Sequence, residues 1–277
     1  NVYFTDTANQ VVRKIEAATG NIVEFAGTGA GGYTGDGGAA TAATLRFPRG
    51  LAIDSSGNVY LADTGNNVIR KVTVATGVIS TIAGDGNIAP PLGDGGAATS
   101  ARLNGPTDVA VAANGDVFIA DATSQRIRLV TFATQIISTY AGTGAEGFSG
   151  DGGAATSATF DFPHKIGLDS SGRLYIADCF NHRIRRVAAG PGAISTVVGG
   201  GTSGGQYLHR RIGGKFHPLG RRHQHLQRPG RRWRRLHRRD RDRGGNLHRQ
   251  PGRYALRRGR SAGRGPSHRP ADHQAEI

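Results

Sequence analysis

The sequence predicts an all-β protein in which a unit of four short strands is repeated along the chain. A similar stretch of residues begins near Asn1, Asn58, Asp116 and Arg173, so the copies start 57, 58 and 57 residues apart. A fixed period of this length is the sequence signature of a repeat architecture. Each copy also contains short runs rich in Val, Ile and Tyr that lack helical spacing and are separated by turn residues. Both observations favour strands over helices.

The second copy shows how the strands are assigned. Its first three runs are Val59 to Asp63, Val68 to Val74 and Val78 to Ala83, and a fourth, Asp108 to Val111, follows a glycine-rich loop. The equivalent of this fourth run in the preceding copy begins at Gly50. Four antiparallel strands per unit at an even period predict the blades of a β-propeller. A blade of this kind buries both of its faces only by stacking on its neighbours.

Polar residues that recur between the copies have structural explanations. An aspartate ends the first strand of every copy, and we expect its carboxylate to accept backbone N–H groups at the turn that follows. An arginine follows a core isoleucine in the next strand, and we expect it to lie along the blade face or to pair with an acidic neighbour. The aspartates are Asp6, Asp63, Asp121 and Asp178, the isoleucines Ile69, Ile127 and Ile184, and the arginines Arg70, Arg128 and Arg185.

A Gly-Asp-Gly-Gly loop recurs at Gly35, Gly93 and Gly150. The glycines permit positive φ angles, and we expect the aspartate to tie the turn by hydrogen bonds. A phosphate-binding loop is not favoured, because no Lys-Ser or Lys-Thr pair follows. Calcium is not favoured either, because each loop offers one carboxylate, whereas calcium sites gather several oxygen ligands. We therefore assign no metal and no cofactor. The loop aspartates are Asp36, Asp94 and Asp151.

Several motifs together resemble the NHL repeat in its long bacterial form. They are Ile-Ser-Thr-Ile-Ala-Gly, Gly-Asp-Gly-Gly-Ala-Ala-Thr-Ser-Ala, a proline, and Tyr-Ile-Ala-Asp-x-x-Asn-His-Arg-Ile-Arg-Arg-Val, within residues 1 to about 201. The resemblance implies an NHL-type β-propeller, six-bladed when complete, whose sequence repeat is offset from the structural blade. It also implies an extracytoplasmic or secreted protein. With about four blades' worth of sequence and a first copy that starts at its second strand, we expect an incomplete propeller, an open arc with exposed edges.

The basic charge of the chain lies in its last quarter. Residues 1–204 hold 14 Lys and Arg against 16 Asp and Glu, a net charge of −2, whereas residues 205–277 hold 21 against 4, a net charge of +17. We therefore expect NHL repeats over 1–204 and a non-globular tail over 205–277, whose composition cannot bury a core. A genuine tail of this kind would bind nucleic acid through phosphate contacts.

The alternative, which we favour, is that the tail is an out-of-frame continuation of the repeats. The codons TAC ATC GCC GA spell Tyr-Ile-Ala-Asp, and read one base out of frame they spell Leu-His-Arg-Arg. That tetrapeptide stands at residues 208–211 and 236–239. Sequencing of the gene is expected to restore the repeat motifs in another frame.

Positions that vary between the copies are free to serve a binding site. The most variable positions follow the recurrent proline, and in propellers of the NHL kind this segment feeds the innermost strand. We therefore expect these side chains to ring one mouth of the central channel, since loops on a rigid scaffold commonly carry function. The predicted site consists of Arg49, Thr107, Asp108, His164 and Lys165. A second variable set follows the strand-end aspartate, at 64–67, 122–125 and 179–182.

These observations predict a non-catalytic binding module for a protein, peptide or glycan partner. The first alternative is a six-bladed-propeller enzyme, a lyase or hydrolase with its site in the channel. We assign it no catalytic residue, because His164 and His182 lack metal-site spacing and Cys179 fills a turn position held by Thr64 and Ala122 in other copies. Nucleic-acid binding is the second alternative and depends on the tail, because the repeats lack excess positive charge. No run approaches the roughly 18 apolar residues of a membrane helix.

Overall fold

The computed structural model describes residues 1–90, 92–190 and 192–200, together with the backbone of 210–212 and 215–217. All of these belong to one unit of the chain, Asn1–Leu219. Strands alternate with turns and single-turn 3-10 segments, and the described residues contain no α-helix. Accordingly, no helix in this part of the chain is long and apolar enough to cross a membrane. Apart from the two short backbone segments, the tail predicted over 205–277 lies outside the described residues, so both interpretations of it stay predictions.

The strands of the described repeats form four antiparallel sheets, which we number as blades 1 to 4. Within each sheet, neighbouring strands follow one another along the chain, so every blade is a meander. Blade 1 contains β1 (Val2–Asp6), β2 (Val11–Ile15) and β3 (Ile22–Ala26). Blade 2 contains β4 (Pro48–Ile53), β5 (Val59–Asp63), β6 (Val68–Thr73) and β7 (Val78–Ala83). Blade 3 contains β8 (Pro106–Val111), β9 (Val117–Asp121), β10 (Arg126–Val130) and β11 (Ile137–Ala141). Blade 4 contains β12 (Pro163–Leu168), β13 (Leu174–Asp178), β14 (Arg183–Val187) and β15 (Ile194–Val198). The short strands β16 (Arg210–Ile212) and β17 (Lys215–His217) pair with each other.

The predicted all-β fold and its incomplete propeller are confirmed. The fourth run of each sequence copy opens the next blade, so β8 pairs with β9 of the following copy rather than with the strands before it. This is the offset that the resemblance implied. β8 begins at Pro106, two residues before the predicted start at Asp108. Blade 1 begins with the equivalent of a second strand and has three strands in the described part of the chain.

The first strands of blades 2, 3 and 4 lie side by side. The Thr107 hydroxyl of β8 donates a hydrogen bond to the backbone carbonyl of His164 on β12, at 2.8 Å. On the other side of β8, Gly50 of β4 lies so close to Asp108 that a methyl group on its Cα would overlap the Asp108 carboxylate. These contacts identify β4, β8 and β12 as the innermost strands of neighbouring blades.

The hydrophobic core lies between the blades. Ile69 of blade 2 packs in one cluster with Ile119 and Ile137 of blade 3, and all three are fully buried. Phe118 of blade 3 packs in the same way with Ile176 of blade 4. Burial of a large apolar side chain contributes roughly 1.5–3 kcal/mol. Each blade therefore depends on its neighbour for stability, as expected of stacked repeats.

A polar latch joins each blade to the start of the next. Asn67 has a left-handed backbone conformation (φ 56°), and its side-chain oxygen accepts the N–H of Gly105 at 2.9 Å. Gln125 (φ 54°) accepts the N–H of Phe162 in the same way at 2.7 Å. The equivalent bond of blade 1 joins Gln10 to Phe47. Gly105 and Phe162 each precede the recurrent proline, so the latch fixes the point at which a first strand begins. Asn67 and Gln125 are the last residues of the variable turns 64–67 and 122–125. The variation between copies suggested that these positions are free to serve a binding site, but the latch gives them a structural role.

Candidate functional site

The five residues of the predicted site come together where the first strands of blades 2, 3 and 4 begin. We call Arg49, Thr107, Asp108, His164 and Lys165 the mouth cluster. A terminal guanidinium nitrogen of Arg49 lies 3.4 Å from Nε2 of His164, although the two residues are 115 positions apart in sequence. Lys165 Nζ lies 3.2 Å from Asp108 Oδ1, and Thr107 joins β8 to β12 through the carbonyl of His164. The mouth cluster therefore spans three blades.

A β-bulge after each recurrent proline directs these side chains. The pairing between the first and second strands shifts between Pro48 and Leu51, between Pro106 and Asp108, and between Pro163 and Lys165. Arg49, Thr107 and His164 fall inside the shifts and have no partner in the strand ladder. A bulge bends the strand and turns its extra residue away from the regular alternation. The bulges thus account for the convergence of three side chains that simple alternation along each strand would not predict.

Asp108 is the buried anion of the mouth cluster, with 5% of its surface exposed. One carboxylate oxygen accepts the backbone N–H of Ile166 at 3.0 Å, and the other faces the Lys165 ammonium group. Gly50 provides the room for this carboxylate, because any side chain there would overlap it. Since a buried charge is costly unless it is paired and hydrogen-bonded, these contacts explain how Asp108 is accommodated between β4 and β12.

The electrostatics of the mouth cluster favour a neutral imidazole between two cations. Burial lowers the pKa of His164 below its ordinary value, and the positive charges of Arg49 and Lys165 lower it further, while Asp108 opposes them. A neutral ring offers one nitrogen as a hydrogen-bond acceptor, which suits the approach of the Arg49 guanidinium. Arg49 is exposed and the Lys165 side chain is 55% exposed. The mouth cluster therefore presents two solvent-facing cations above a buried carboxylate.

Aromatic rings border the mouth cluster on the side of blade 4. The Phe162 ring lies 5.6 Å from the His164 ring, centroid to centroid, and stacks on Phe180 at 5.2 Å. The equivalent residue of blade 2, Phe47, is 49% exposed. Apolar rings beside cationic groups give this region both an apolar and an electrostatic component for binding.

The other candidates considered for catalysis lie in the turn after β13. Cys179 is a free cysteine on the surface of the protein. Partial desolvation of its thiol and the neighbouring negative charges of Asp178 and Asp161 raise its pKa. A raised pKa keeps the thiol protonated, which disfavours a nucleophilic role. His182 ends the same turn, and its backbone N–H donates to the Cys179 carbonyl at 3.1 Å. Among the described residues, no group of three or more His, Cys, Asp or Glu side chains is placed to hold a metal ion.

The strand-end aspartates and the recurrent arginines form a buried structural network. The Asp63 carboxylate accepts the backbone N–H of Arg46 at 2.7 Å and the side-chain amide of Asn66 at 2.8 Å. Arg70 lies 3.6 Å from the same carboxylate, and both side chains are fully buried. The backbone N–H and the arginine contact recur in blades 3 and 4, with Asp121 and Asp178 in the place of Asp63. The predicted pairing of the arginines with an acidic neighbour is confirmed. The aspartates accept a backbone N–H, but its donor lies two residues before the recurrent proline and not in the turn that follows, as was predicted.

The Gly-Asp-Gly-Gly loops hold consecutive blades together. Asp36 follows blade 1 but forms an ion pair at 2.7 Å with Arg70 of blade 2. The prediction that this aspartate ties its own turn is therefore wrong, because the buried arginine of the next blade competes for the carboxylate. The equivalent pairs are Asp94 with Arg128, and Asp151 with Arg185 at 2.8 Å. In all three, the aspartate precedes the arginine by 34 residues. This constant spacing of 34 residues is a signal in the sequence from which the contact could have been predicted.

The fold and its repeated polar network define the chain as a β-propeller protein. A model of the NHL repeat matches residues 103–128 and 160–187, and a model of the teneurin NHL domain matches residues 5–90. The chain is an NHL-repeat β-propeller protein, as the resemblance in the sequence indicated.

Known proteins are similar to this chain over parts of their length. Protein SUPPRESSOR OF QUENCHING 1, chloroplastic, of Arabidopsis thaliana is 37% identical over 81 residues, which cover 29% of this chain and 8% of that protein. Teneurin-3 of Danio rerio is 30% identical over 224 residues, covering 72% of this chain and 8% of teneurin-3. The chain thus spans less than a tenth of the length of either relative. The crystal structure of an auxiliary nutrient binding protein from Bacteroides thetaiotaomicron matches with a TM-score of 0.50 at 19% identity, over 70% of this chain and 44% of that one. This likeness concerns the fold alone.

Proposed function

We propose that this NHL propeller is a non-catalytic binding module that recognises a protein, peptide or glycan partner through the mouth cluster. The observation that carries the proposal is the convergence of five side chains, which differ between the copies, at bulges of three adjacent blades. The surrounding buried ion pairs recur in blades 2, 3 and 4, and a latch joins each of blades 1, 2 and 3 to the next one along the chain. A fixed scaffold with variable side chains at one end is the usual construction of a binding surface.

The charges of the mouth cluster favour a partner that carries a carboxylate. Arg49 and Lys165 face solvent, whereas Asp108 is buried and occupied by Lys165 and the N–H of Ile166. A guanidinium group recognises planar carboxylates with two parallel hydrogen bonds. The exposed Phe47 ring favours an apolar group beside the acid. An acidic peptide segment with a neighbouring apolar residue fits both features, and an acidic sugar fits the first.

Binding to the full chain tests this proposal. The probes are an array of Asp- and Glu-containing peptides with apolar neighbours, their Asn and Gln counterparts, and a set of uronic-acid oligosaccharides. We expect acidic probes to bind and their neutral counterparts to fail. The double variant Arg49→Ala, Lys165→Ala is expected to bind the acidic probes at least about tenfold more weakly than the parent chain, because charge-assisted hydrogen bonds are lost.

The matched control is Lys14→Ala, which removes a cation that pairs with Glu16 on blade 1 at 3.0 Å, outside the mouth cluster. The affinity of the Lys14→Ala variant for the acidic probes is expected to equal that of the parent chain. Equal loss in both variants, or none in either, would contradict a role for the mouth cluster. Mass spectrometry of the recovered probes is expected to show no chemical change. A cleaved or eliminated product would favour the enzyme alternative instead.

A further inference from the structure

The contact between Arg49 and His164 depends on the charge of the imidazole ring. Nη1 of Arg49 lies 3.4 Å from Nε2 of His164. A guanidinium group has only N–H donors, so Nε2 is the acceptor and the ring proton lies on Nδ1. In a protonated imidazole both ring nitrogens carry a proton, and the same approach brings two donors and two positive charges together. Protonation of His164 therefore breaks the contact with Arg49.

The backbones of both residues are fixed by bonds that do not involve the imidazole ring. The carbonyl oxygen of His164 accepts the Thr107 hydroxyl at 2.8 Å, and the carbonyl oxygen of Arg49 accepts the Thr5 hydroxyl at 2.6 Å. When the contact between the two side chains breaks, the strands therefore stay in place. The exposed side chain of Arg49 is the part that can turn, and its guanidinium group then becomes available to a ligand.

The charges that act on His164 come from three neighbouring first strands. β4 provides Arg49, β8 provides Asp108, and β12 provides Lys165. Burial lowers the pKa of His164 and the two cations lower it further, while Asp108 opposes them. The Asp108 carboxylate is already engaged by Lys165 at 3.2 Å. A ligand carboxylate beside Arg49 adds a negative charge next to the ring, and an opposite charge at that distance favours the protonated form of a histidine.

We propose that the mouth cluster takes up a proton, at Nε2 of His164, when it binds the carboxylate of its partner. The proton comes from solvent, the Arg49 guanidinium turns from the ring to the carboxylate, and the new N–H of His164 becomes a further donor to the bound acid. Because histidine changes its charge between about pH 5 and 8, the affinity for an acidic partner rises as pH falls below neutrality. This inference rests on the proposed function, since the carboxylate is the ligand named there.

The first experiment examines the full chain without a ligand, by NMR of isotope-labelled histidine. The signal of His164 is identified by its loss in His164→Asn. At about pH 7.5 we expect the ring proton on Nδ1 and an unprotonated Nε2. In Arg49→Ala the His164 ring is expected to titrate at a higher pH than in the parent chain, because a cation that opposes its protonation is removed. A neutral ring with its proton on Nε2, or a titration unchanged by Arg49→Ala, would overturn the proposal.

The second experiment counts the protons taken up on binding. The probes are the Asp- and Glu-containing peptides of the array, and calorimetry in buffers of different ionisation enthalpy measures the uptake. We expect the parent chain to take up as much as one proton and to bind about fivefold more tightly at about pH 5.5 than at about pH 7.5. The acidic side chains of the peptides are ionised at both pH values, so the change in affinity reports on the protein.

Both effects are expected to vanish in His164→Asn. The matched control is His182→Asn, because His182 has a left-handed backbone conformation (φ 54°) that asparagine tolerates, and Asn67 holds the equivalent position in blade 2. This control is expected to keep the proton uptake and the pH dependence. Binding without proton uptake, or with the same uptake in His164→Asn, would overturn the inference and leave the proposed function standing. Failure of every acidic peptide to bind at either pH would overturn both.

Discussion

At the level of single residues, the contact of Gly50 with Asp108 is a close approach between neighbouring first strands. Gly50 has no side chain, and its backbone φ lies outside the left-handed region, so its requirement is for space rather than for conformation. The space is taken by the carboxylate that binds the Ile166 N–H and faces Lys165. The identity of one residue on β4 therefore determines whether a carboxylate is buried on β8.

Replacement of Gly50 by alanine is expected to destabilise the protein by about 1–3 kcal/mol, because overpacking forces neighbouring groups to move. The new methyl group overlaps both the Cα and the carboxylate of Asp108. Chemical denaturation measures the change in the free energy of unfolding. The control is Gly167→Ala on β12, where a methyl group would meet no atom within 4 Å. A cost for Gly167→Ala similar to that for Gly50→Ala would argue against the steric explanation.

The residues of the mouth cluster could be predicted from the sequence, but their contacts could not. Variation between the copies identifies Arg49, Thr107 and His164 as the residues that follow the proline. Their approach depends on the bulges and on the stagger between blades, neither of which leaves a local pattern in the sequence. The 3.4 Å approach of Arg49 to His164, across the intervening strand β8, is a consequence of that geometry.

At the level of structural elements, the Gly-Asp-Gly-Gly loop acts as a clasp between blades. It follows the last strand of one blade, pairs with the outer strand of the next, and places its aspartate on a buried arginine. Strands were predictable because Val, Ile and Tyr runs bounded by turn residues are a local signal. The clasp was not predicted because the arginine that pairs with the loop aspartate lies on another blade. The sequence of the loop is the same whether its aspartate bonds within the turn or to a distant residue.

Asp151→Asn is expected to lower the free energy of unfolding by about 1–3 kcal/mol, because Arg185 is fully buried and loses one of its two carboxylates. Asp151 itself is 37% exposed, so solvent screening keeps the loss below that of a fully buried pair. Glu16→Gln removes the partner of Lys14, a cation that is itself 24% exposed, and is expected to leave the free energy of unfolding almost unchanged. Comparison of the two denaturation curves tests the clasp. Equal effects would mean that the loop aspartate behaves as an ordinary surface charge.

At the level of the whole molecule, stacking of the blades changes the ionisation of equivalent residues. Burial raises the pKa of Asp121 in blade 3 to about 6, against the opposing N–H of Asn104 and the charge of Arg128. Asp6, at the equivalent position of blade 1, is 25% exposed. Its pKa is lowered, chiefly by hydrogen bonds from Asn9 and Arg13. The same residue in the same blade position thus titrates in opposite directions, because one copy is covered and the other is not.

These two shifts predict pH dependences of opposite sign. Because the pKa of Asp121 is higher in the folded than in the unfolded chain, the folded state binds more protons between about pH 4 and 6, and the contribution of Asp121 to stability falls as pH rises through that window. The stability of the parent chain relative to Asp121→Asn is therefore expected to decrease by about 1–3 kcal/mol from pH 4 to pH 7.

For Asp6 the pKa is lower in the folded than in the unfolded chain. The contribution of Asp6 to stability is therefore present above the unfolded pKa and is lost as pH falls. The parent chain is expected to gain stability relative to Asp6→Asn as pH rises through about 4. Urea denaturation of the three proteins from pH 3 to pH 7 measures both differences. Slopes of the same sign would show that the cover provided by the preceding copy does not control these carboxyl groups, since that cover is the difference between the two blades.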